Sequence, residues 1–294
     1  MINSTPRALV LGGHSGLLGK TLANTLTGAG WKVAVSPPSS QQDMSKGNTY
    51  DILSRMVDSA EPSVIFNAIA YTRVDDAESD QDRATFLNAT LPDQLARVTQ
   101  SRPCRLVHFS TDFVFDGKGS EPYKVTAKTG PLCVYGKTKL AGEEAILARA
   151  LPEHTIIRTA WLFGPGKNNF ITTILRLCKE KQNLSVVHDQ WGSPTYTVDL
   201  AQNTLALVQT EANGIFHLVN FGVANWCDLA SEAVRLAGYG CSVHPIPSAE
   251  YPQKAVRPAY SVLDTSSFSK VTGVTPRPWP QALRDYIYRE FLVH

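Results

Sequence analysis

The chain reads as an α/β protein: a Rossmann-type doubly wound parallel sheet with a smaller, interleaved C-terminal α/β domain. Three observations predict this. The first half alternates short β-rich runs with longer amphipathic stretches at the rhythm of βαβ units. A glycine-rich turn, Gly13-His-Ser-Gly16-Leu-Leu-Gly19, falls between the first apolar run and the first helical pattern. Beyond Trp161 the character changes: prolines cluster at 245 to 280, β-rich runs shorten, and polar and aromatic residues mix without a clean period.

Ala8 to Leu11 is a compact apolar run that stops at Gly12-Gly13, after which Leu17, Leu18, Leu22, Ala23 and Leu26 recur at helical spacing up to Gly28 and Gly30. Lys32 to Val35 is a second strand, followed by a Pro/Ser-rich loop at Ser36 to Gln42 and a helix over Tyr50 to Ala60. Ser63 to Phe66 and Leu106 to Phe109 are the third and fourth strands, with a helix near Ala84 to Thr99 between them. A long loop then leads to a helix near Val134 to Ala150, and Thr155 to Ile157 is a fifth strand. Asp75 to Asp82 is an acidic stretch read as a solvated helix start. Residues 1–163 and 198–222 are assigned to the nucleotide-binding domain, and 164–197 and 223–294 to the second, substrate-holding domain. Crossovers between parallel strands are right-handed in about 98% of cases, so ligands are expected at the strands' carboxyl ends.

Composition excludes several function classes. The 294 residues are 43% hydrophobic and 18% charged, with a net charge of +2, which describes a globular chain without the basic face of a nucleic-acid binder. Cys104, Cys133, Cys178, Cys227 and Cys241 are scattered and form no Cys-x-x-Cys pair, which suits buried thiols in a reducing cytoplasm better than disulfides or zinc. No run is long enough to span a bilayer and no leader pattern is present, so the two Asn-x-Thr sequons, at Asn3 and Asn88, are read as chance matches.

The glycine turn is the first site. A turn this tight lets backbone N–H groups approach a pyrophosphate, and the amino terminus of the next helix supplies unpaired donors and partial positive charge. Gly13, His14, Ser15, Gly16, Leu17 and Leu18 are therefore the cofactor-loop candidates, with His14 lining the phosphates rather than acting in catalysis. The second strand ends in Val35-Ser36-Pro37-Pro38, with neither the acidic residue that selects NAD nor a basic one for NADP. Asp43, in Gln-Gln-Asp43-Met44, is the nearest acid, placed for an adenine or ribose contact, and Met44 joins it as a cofactor candidate. The missing carboxylate removes repulsion from a 2′-phosphate, so NADPH is favoured and NADH remains admissible.

Of the ten tyrosines, only Tyr135 is followed by lysine four residues later, in Tyr135-Gly-Lys-Thr-Lys139, a spacing that puts both side chains on one helix face. A phenol of pKa ~10 beside an ammonium is expected to shift towards the working pH and to serve as general acid, with Lys139 also bonding the nicotinamide ribose. Ser110-Thr111-Asp112 follows the fourth strand, where the Thr111 hydroxyl can polarise a carbonyl. An ordinary surface Tyr/Lys pair and a turn-forming Ser-Thr-Asp are the bland alternatives for each motif alone.

With these residues in hand, the chain resembles the extended short-chain dehydrogenases, and within them the dTDP-4-dehydrorhamnose reductases. The likeness rests on Asn67-Ala-Ile-Ala-Tyr-Thr-Arg-Val-Asp75-Asp-Ala-Glu78, Phe109-Ser-Thr-Asp-Phe-Val-Phe-Asp116-Gly, Val134-Tyr-Gly-Lys-Thr-Lys-Leu-Ala-Gly-Glu143, Arg158-Thr-Ala-Trp161 and Asp189-Gln-Trp-Gly-Ser-Pro-Thr195. It implies that Ala68, Ile69, Ala70 and Tyr71 line the cofactor, and that Val74, Asp75, Thr111, Asp112, Trp161 and Asn169 face a sugar nucleotide. Arg257 would clamp a diphosphate. Where some members of the family hold a divalent cation through glutamates, this chain has Thr21 and Val198, so no metal is expected. The resemblance implies reduction of the 4-keto group of dTDP-4-dehydro-β-L-rhamnose by a monomer or homodimer. A reductase of another 4-keto-6-deoxy sugar nucleotide, or a non-catalytic subunit of the kind that partners a methionine adenosyltransferase, are the alternatives.

Overall fold

A computed structural model describes residues 5–210 and 212–293. Its centre is a six-stranded sheet, all of whose pairings are parallel. The first five strands are β1 (Arg7–Leu11), β2 (Lys32–Val35), β3 (Val64–Asn67), β4 (Arg105–Thr111) and β5 (His154–Thr159). Five short strands follow: β6 (Leu162–Phe163), β7 (Asn183–Val187), β8 (Trp191–Gly192), β9 (Thr195–Tyr196) and β10 (Gly214–His217), and then β11 (Ala224–Asn225) and β12 (Ser242–Ile246). The sheet runs β10-β5-β4-β3-β1-β2, so strand order reverses between β1 and β3, and a ligand crevice belongs at their carboxyl ends.

Side chains alternate across the sheet as the two-residue period requires. Ala8, Val10, Phe66, Val107 and Ile157 point to one face, packed by α1 (Leu17–Gly28) and α8 (Thr197–Val208) through Leu22, Leu26, Leu200 and Leu207. Leu9, Leu11, Ile65, Leu106 and Ile156 point to the other, covered by α2 (Thr49–Ala60), α5 (Leu91–Thr99) and α6 (Val134–Ala148) through Leu53, Val57, Leu91, Leu95 and Ile146. Buried on both faces, β4 is polar only where partners exist. Arg105 donates to the carbonyls of Val208 and Thr210, and Ser110 bonds Glu143, which forms a buried ion pair with Arg158 at 2.6 Å.

The helix expected from Ala84 starts earlier. Two short helices, α3 (Val74–Ala77) and α4 (Gln81–Thr85), precede a π-turn over Phe86–Thr90 that runs into α5. Pro92 has no N–H to give the Asn88 carbonyl, which accounts for the widened turn. That carbonyl instead faces Gly142 of α6, where a Cβ would stand 2.1 Å from it. Glycine here is what lets α6 lie against the π-turn. The Asn88 side chain bonds both backbone groups of Tyr71 and the Thr138 hydroxyl, so its sequon lies in buried structure.

The rest of the chain builds a second packed unit from α7 (Phe170–Glu180), α9 (Trp226–Leu236) and α11 (Trp279–Ile287), with β7 paired to β12 and α10 (Ser266–Thr272) lying against α8 and β10. Its cores centre on Phe163, Leu175, Leu229 and Leu283, and on Ile174, Val186 and Ala230. No helix among the described residues is long and apolar enough to cross a membrane.

Candidate active site

The glycine turn sits at the crevice that the sheet order demands. A cleft of about 560 Å³ is lined by Gly12, His14, Ser15 and Gly16 after β1, Ser36 to Ser39 after β2, Asp43 and Met44, Ala68 to Ala70 after β3, Arg83 and Phe86 from the helices beyond, and Lys167. The turn can be built only from glycine: a Cβ at Gly19 would stand 2.4 Å from the Gly12 carbonyl oxygen. Gly16 caps α1 without a side-chain bond, and no acidic residue stands in the first turn. The helix therefore keeps its N-terminal donors and its positive end free for an anion, which is the chemistry a dinucleotide's pyrophosphate requires.

Several expectations are refined here. Gly13 packs against Val35 and Val10, Leu18 is buried in the core, and neither they nor Leu17 line the cleft. Ser36 accepts a hydrogen bond from the Gly12 N–H (3.0 Å), a hydroxyl standing where a selecting carboxylate is commonly found. Asp43 is held by Ser45, whose hydroxyl and N–H keep its carboxyl below the usual range. Tyr71 does not line the cleft. It turns into a small core with Ala77 and Ala84, where its hydroxyl donates to Asp80 (3.1 Å).

The catalytic candidates come from β4 and α6. Asn67 is the register partner of His108, so the loop Ala68–Ala70 runs beside the end of β4, where Ser110 and Thr111 are still in the strand. Thr111 is buried. Its hydroxyl donates to Asp112 (3.0 Å) and accepts from the Phe113 N–H (3.2 Å), and it lies close enough to the Tyr135 phenol to oppose the rise in that group's pKa. Tyr135 lies one residue into α6, edge-on to Phe113, and the helix start is fixed by Glu78, which accepts from the Val134 N–H (2.8 Å). The acidic stretch does open two short helices, with Asp76 and Asp82 exposed in their first turns, but its other carboxylates are engaged within the fold. Glu78 caps α6, Asp80 holds Tyr71, and Asp75 binds Arg257.

The electrostatics differ from the sequence expectation. Burial raises the Tyr135 phenol, with the Asp112 charge adding to that and the Thr111 hydroxyl opposing it. Lys139 does not depress it, because its nitrogen faces β4 instead, donating to the Phe109 carbonyl (2.5 Å) and lying 3.4 Å from His108 Nε2. Burial brings Lys139 down to about 8, opposed by Glu143 one turn along.

On the substrate side, residues expected to face a ligand hold one another. Arg257 grips Asp75 with two hydrogen bonds (2.9 and 2.7 Å), and the Ala255 N–H bonds the same carboxylate, which is held down to about 2 with the Arg257 hydrogen bond as the largest favourable cause. Val74 opens the short helix that carries Asp75 and is half-buried. Asp112 is buried between the hydroxyls of Thr111 and Ser261, and burial pushes its carboxyl up to about 6. Asn169 is the N-cap of α7 in a capping box, and its amide donates to Gly164, Lys167 and Tyr286. Trp161, at φ 46°, sits in left-handed backbone just past β5, and its indole stacks on Trp226 with centroids 3.6 Å apart. Such backbone costs of order 1–3 kcal/mol and is characteristic of ligand sites. Thr21 and Val198 lie on α1 and α8, and the Thr21 hydroxyl is 3.3 Å from that of Thr197.

The chain matches the family described as RmlD substrate binding domain over residues 7–291. It belongs to that RmlD family. Among its relatives is a dTDP-4-keto-6-deoxy-D-glucose reductase of Streptomyces niveus, 40% identical over 95% of this chain and 96% of the relative. A dTDP-4-dehydrorhamnose reductase of Salmonella typhimurium is 38% identical over 96% and 98%. The crystal structure of dTDP-4-dehydrorhamnose reductase from Bacillus anthracis in complex with NADP superposes with a TM-score of 0.91 at 30% identity, covering 97% of this chain and all of that one. The RmlD match spans both packed units.

Sequence reasoning missed four residues that shape the site: Asn67 and His108 behind Lys139, Ser261 on Asp112, and Trp226 under Trp161. An asparagine ending one buried strand and a histidine inside its buried neighbour are a detectable signal, whereas the partners of Ser261 and Trp226 are set by tertiary packing alone.

Proposed function

We propose that this chain is an NADPH-dependent reductase that converts the 4-keto group of dTDP-4-dehydro-β-L-rhamnose to the alcohol of dTDP-L-rhamnose. The observation that carries the reading is that Thr111, ending β4, and Tyr135, in the first turn of α6, converge on Phe113, which bonds the first and packs edge-on to the second, beside the strand that leads into the Ala68–Ala70 wall of the glycine-turn cleft. The relatives' names and the NADP bound by the Bacillus anthracis protein support the substrate and cofactor.

A reduced nicotinamide bound in the cleft supplies the hydride. The protein's part is to hold the pyrophosphate on the N–H groups around Gly16, with Ala68 to Ala70 as the apolar wall. Tyr135 keeps its proton at neutral pH because burial raises its phenol. It gives that proton up only to a stronger base, and the alkoxide developing at C4 is one. Thr111 steers the ketone oxygen towards the phenol. Lys139 spends one N–H on the Phe109 carbonyl, which leaves nitrogen-bound hydrogen for the cofactor ribose. The segments 164–197 and 223–294 contribute Arg257, which would exchange Asp75 for the substrate's diphosphate.

The Streptomyces niveus relative favours a second reading, in which the same machinery reduces dTDP-4-keto-6-deoxy-D-glucose. Purified protein with NADPH and each keto sugar, followed by loss of nicotinamide absorbance and stereochemical analysis of the product, separates the two. No turnover with either would leave the non-catalytic subunit as the surviving reading.

A further inference from the structure

His108 is fully buried on β4, and both of its ring nitrogens are engaged by groups that ordinarily donate. Nδ1 lies 3.1 Å from Asn67 Nδ2, and Nε2 lies 3.4 Å from Lys139 Nζ. The Asn67 amide is oriented by its own oxygen, which accepts from the Ile69 N–H (3.3 Å), so the nitrogen is the atom left facing the imidazole. A neutral imidazole has one donor and one acceptor. With Asn67 donating to Nδ1, the ring proton must sit on Nε2, aimed at the lysine nitrogen. An ammonium cannot accept that hydrogen bond, but an amine can.

We propose that His108 is a positioning residue for Lys139: pinned by Asn67, its imidazole presents Nε2–H to the lysine nitrogen and stabilises the amine, so that the lysine can release and recover a proton during turnover. This rests on the reductase reading of Tyr135 and Lys139. In the step it serves, the Lys139 ammonium releases a proton to solvent, the amine so formed accepts Nε2–H, and a proton returning from solvent restores the ammonium; no direct transfer to the Tyr135 phenol is involved, because the nitrogen faces β4. When the lysine is charged, the ring must either give up its bond to Asn67 or face the ammonium with a proton. Either way, the charged form is disfavoured where it would otherwise be locked.

The surroundings agree. Burial and the Lys139 charge hold the imidazole well below its usual range, so His108 stays neutral and acts through its tautomer. The other charge acting on Lys139 is Glu143 from its own helix, whose carboxylate is matched by Arg158 from β5. The π-turn side presents Asn88, which is uncharged.

Nitrogen NMR of the histidine rings in the full chain, with oxidised cofactor bound, reads the tautomer directly and independently of activity. Nε2–H at alkaline pH, changing as Lys139 takes up its proton, is the expected result; Nδ1–H at every pH overturns the proposal. In kinetics, His108→Gln supplies a carbonyl that can accept from the ammonium, and should move the alkaline limb of the kcat profile up by about one pH unit with cofactor KM within roughly twofold. Asn67→Leu frees the imidazole to reverse its tautomer and should shift the limb the same way. Profiles coincident with wild type in both variants also overturn it. If the wild type itself never turns over, the reductase reading has failed, and the ring spectra still decide the His108 question.

Discussion

The two halves of the cleft are prepared in opposite ways. On the cofactor side, the start of α1 has no side-chain cap and no acid in its first turn, and glycines hold the turn open. On the substrate side, Arg257 is bound to Asp75, Asp112 to Ser261, and Trp161 to Trp226. The first half offers unsatisfied donors to a ligand that need only arrive, while the second must exchange internal partners for external ones. Cofactor affinity should therefore follow backbone geometry, and sugar-nucleotide affinity should follow the strength of the internal contacts being replaced.

The largest expected effect lies where the halves meet. Tyr135→Phe should lower kcat on the order of 10²- to 10⁴-fold, the usual share of a general acid. Cofactor affinity measured by fluorescence titration should stay within about twofold, and near-normal turnover would remove Tyr135 from the mechanism.

Gly19→Ala tests the cofactor half alone. Its Cβ meets only backbone, so the turn must open, and cofactor affinity should fall on the order of tenfold or more. Retained affinity would show that the pyrophosphate is bound elsewhere.

Asp112 tests the cost of the self-satisfied half. Its carboxyl titrates at about 6 when folded, against about 3.9 in an unfolded chain, so the folded state binds the extra proton between those values. This group's contribution to stability therefore rises as pH falls through that window and is smallest above it, a change of roughly 3 kcal/mol at most. Urea unfolding at pH 4 and pH 7 should show this difference in the wild type and lose it in Asp112→Asn. Equal slopes would mean that the carboxylate is better solvated than its surroundings indicate.

The smallest effect should come from Asp75→Asn. This carboxylate is 38% exposed, so its ion pair contributes no more than about 1 kcal/mol after screening. Releasing Arg257 should lower the sugar-nucleotide KM by about threefold. A raised KM would show instead that Asp75 itself contacts the sugar.

The same contrast explains what could be read from sequence. The cofactor half is local: apolar run, glycine turn and helix are contiguous, and the strand ends that carry Ala68 and Thr111 follow from the alternation of elements. Tyr135 and Lys139 were legible because four residues make one helical turn, but the direction of the lysine nitrogen was not, since it depends on His108 and Phe109 from another strand. The substrate half is built from pairs separated by up to 182 residues, such as Arg257 with Asp75. No periodicity encodes such a pairing, and the Asp75 to Asp82 stretch therefore looked like ordinary solvated charge. The π-turn was hidden for a related reason. Pro92 signals a missing donor, but its consequence depends on what receives the Asn88 carbonyl.

The bond between Ser261 and Asp112 carries an implication for how the protein is made. A ribosome delivers the glycine turn and the tyrosine helix long before Ser261 and Arg257 emerge. A nascent chain can thus assemble its nucleotide crevice while Asp112 and Asp75 still await their partners, and the sugar pocket is completed last.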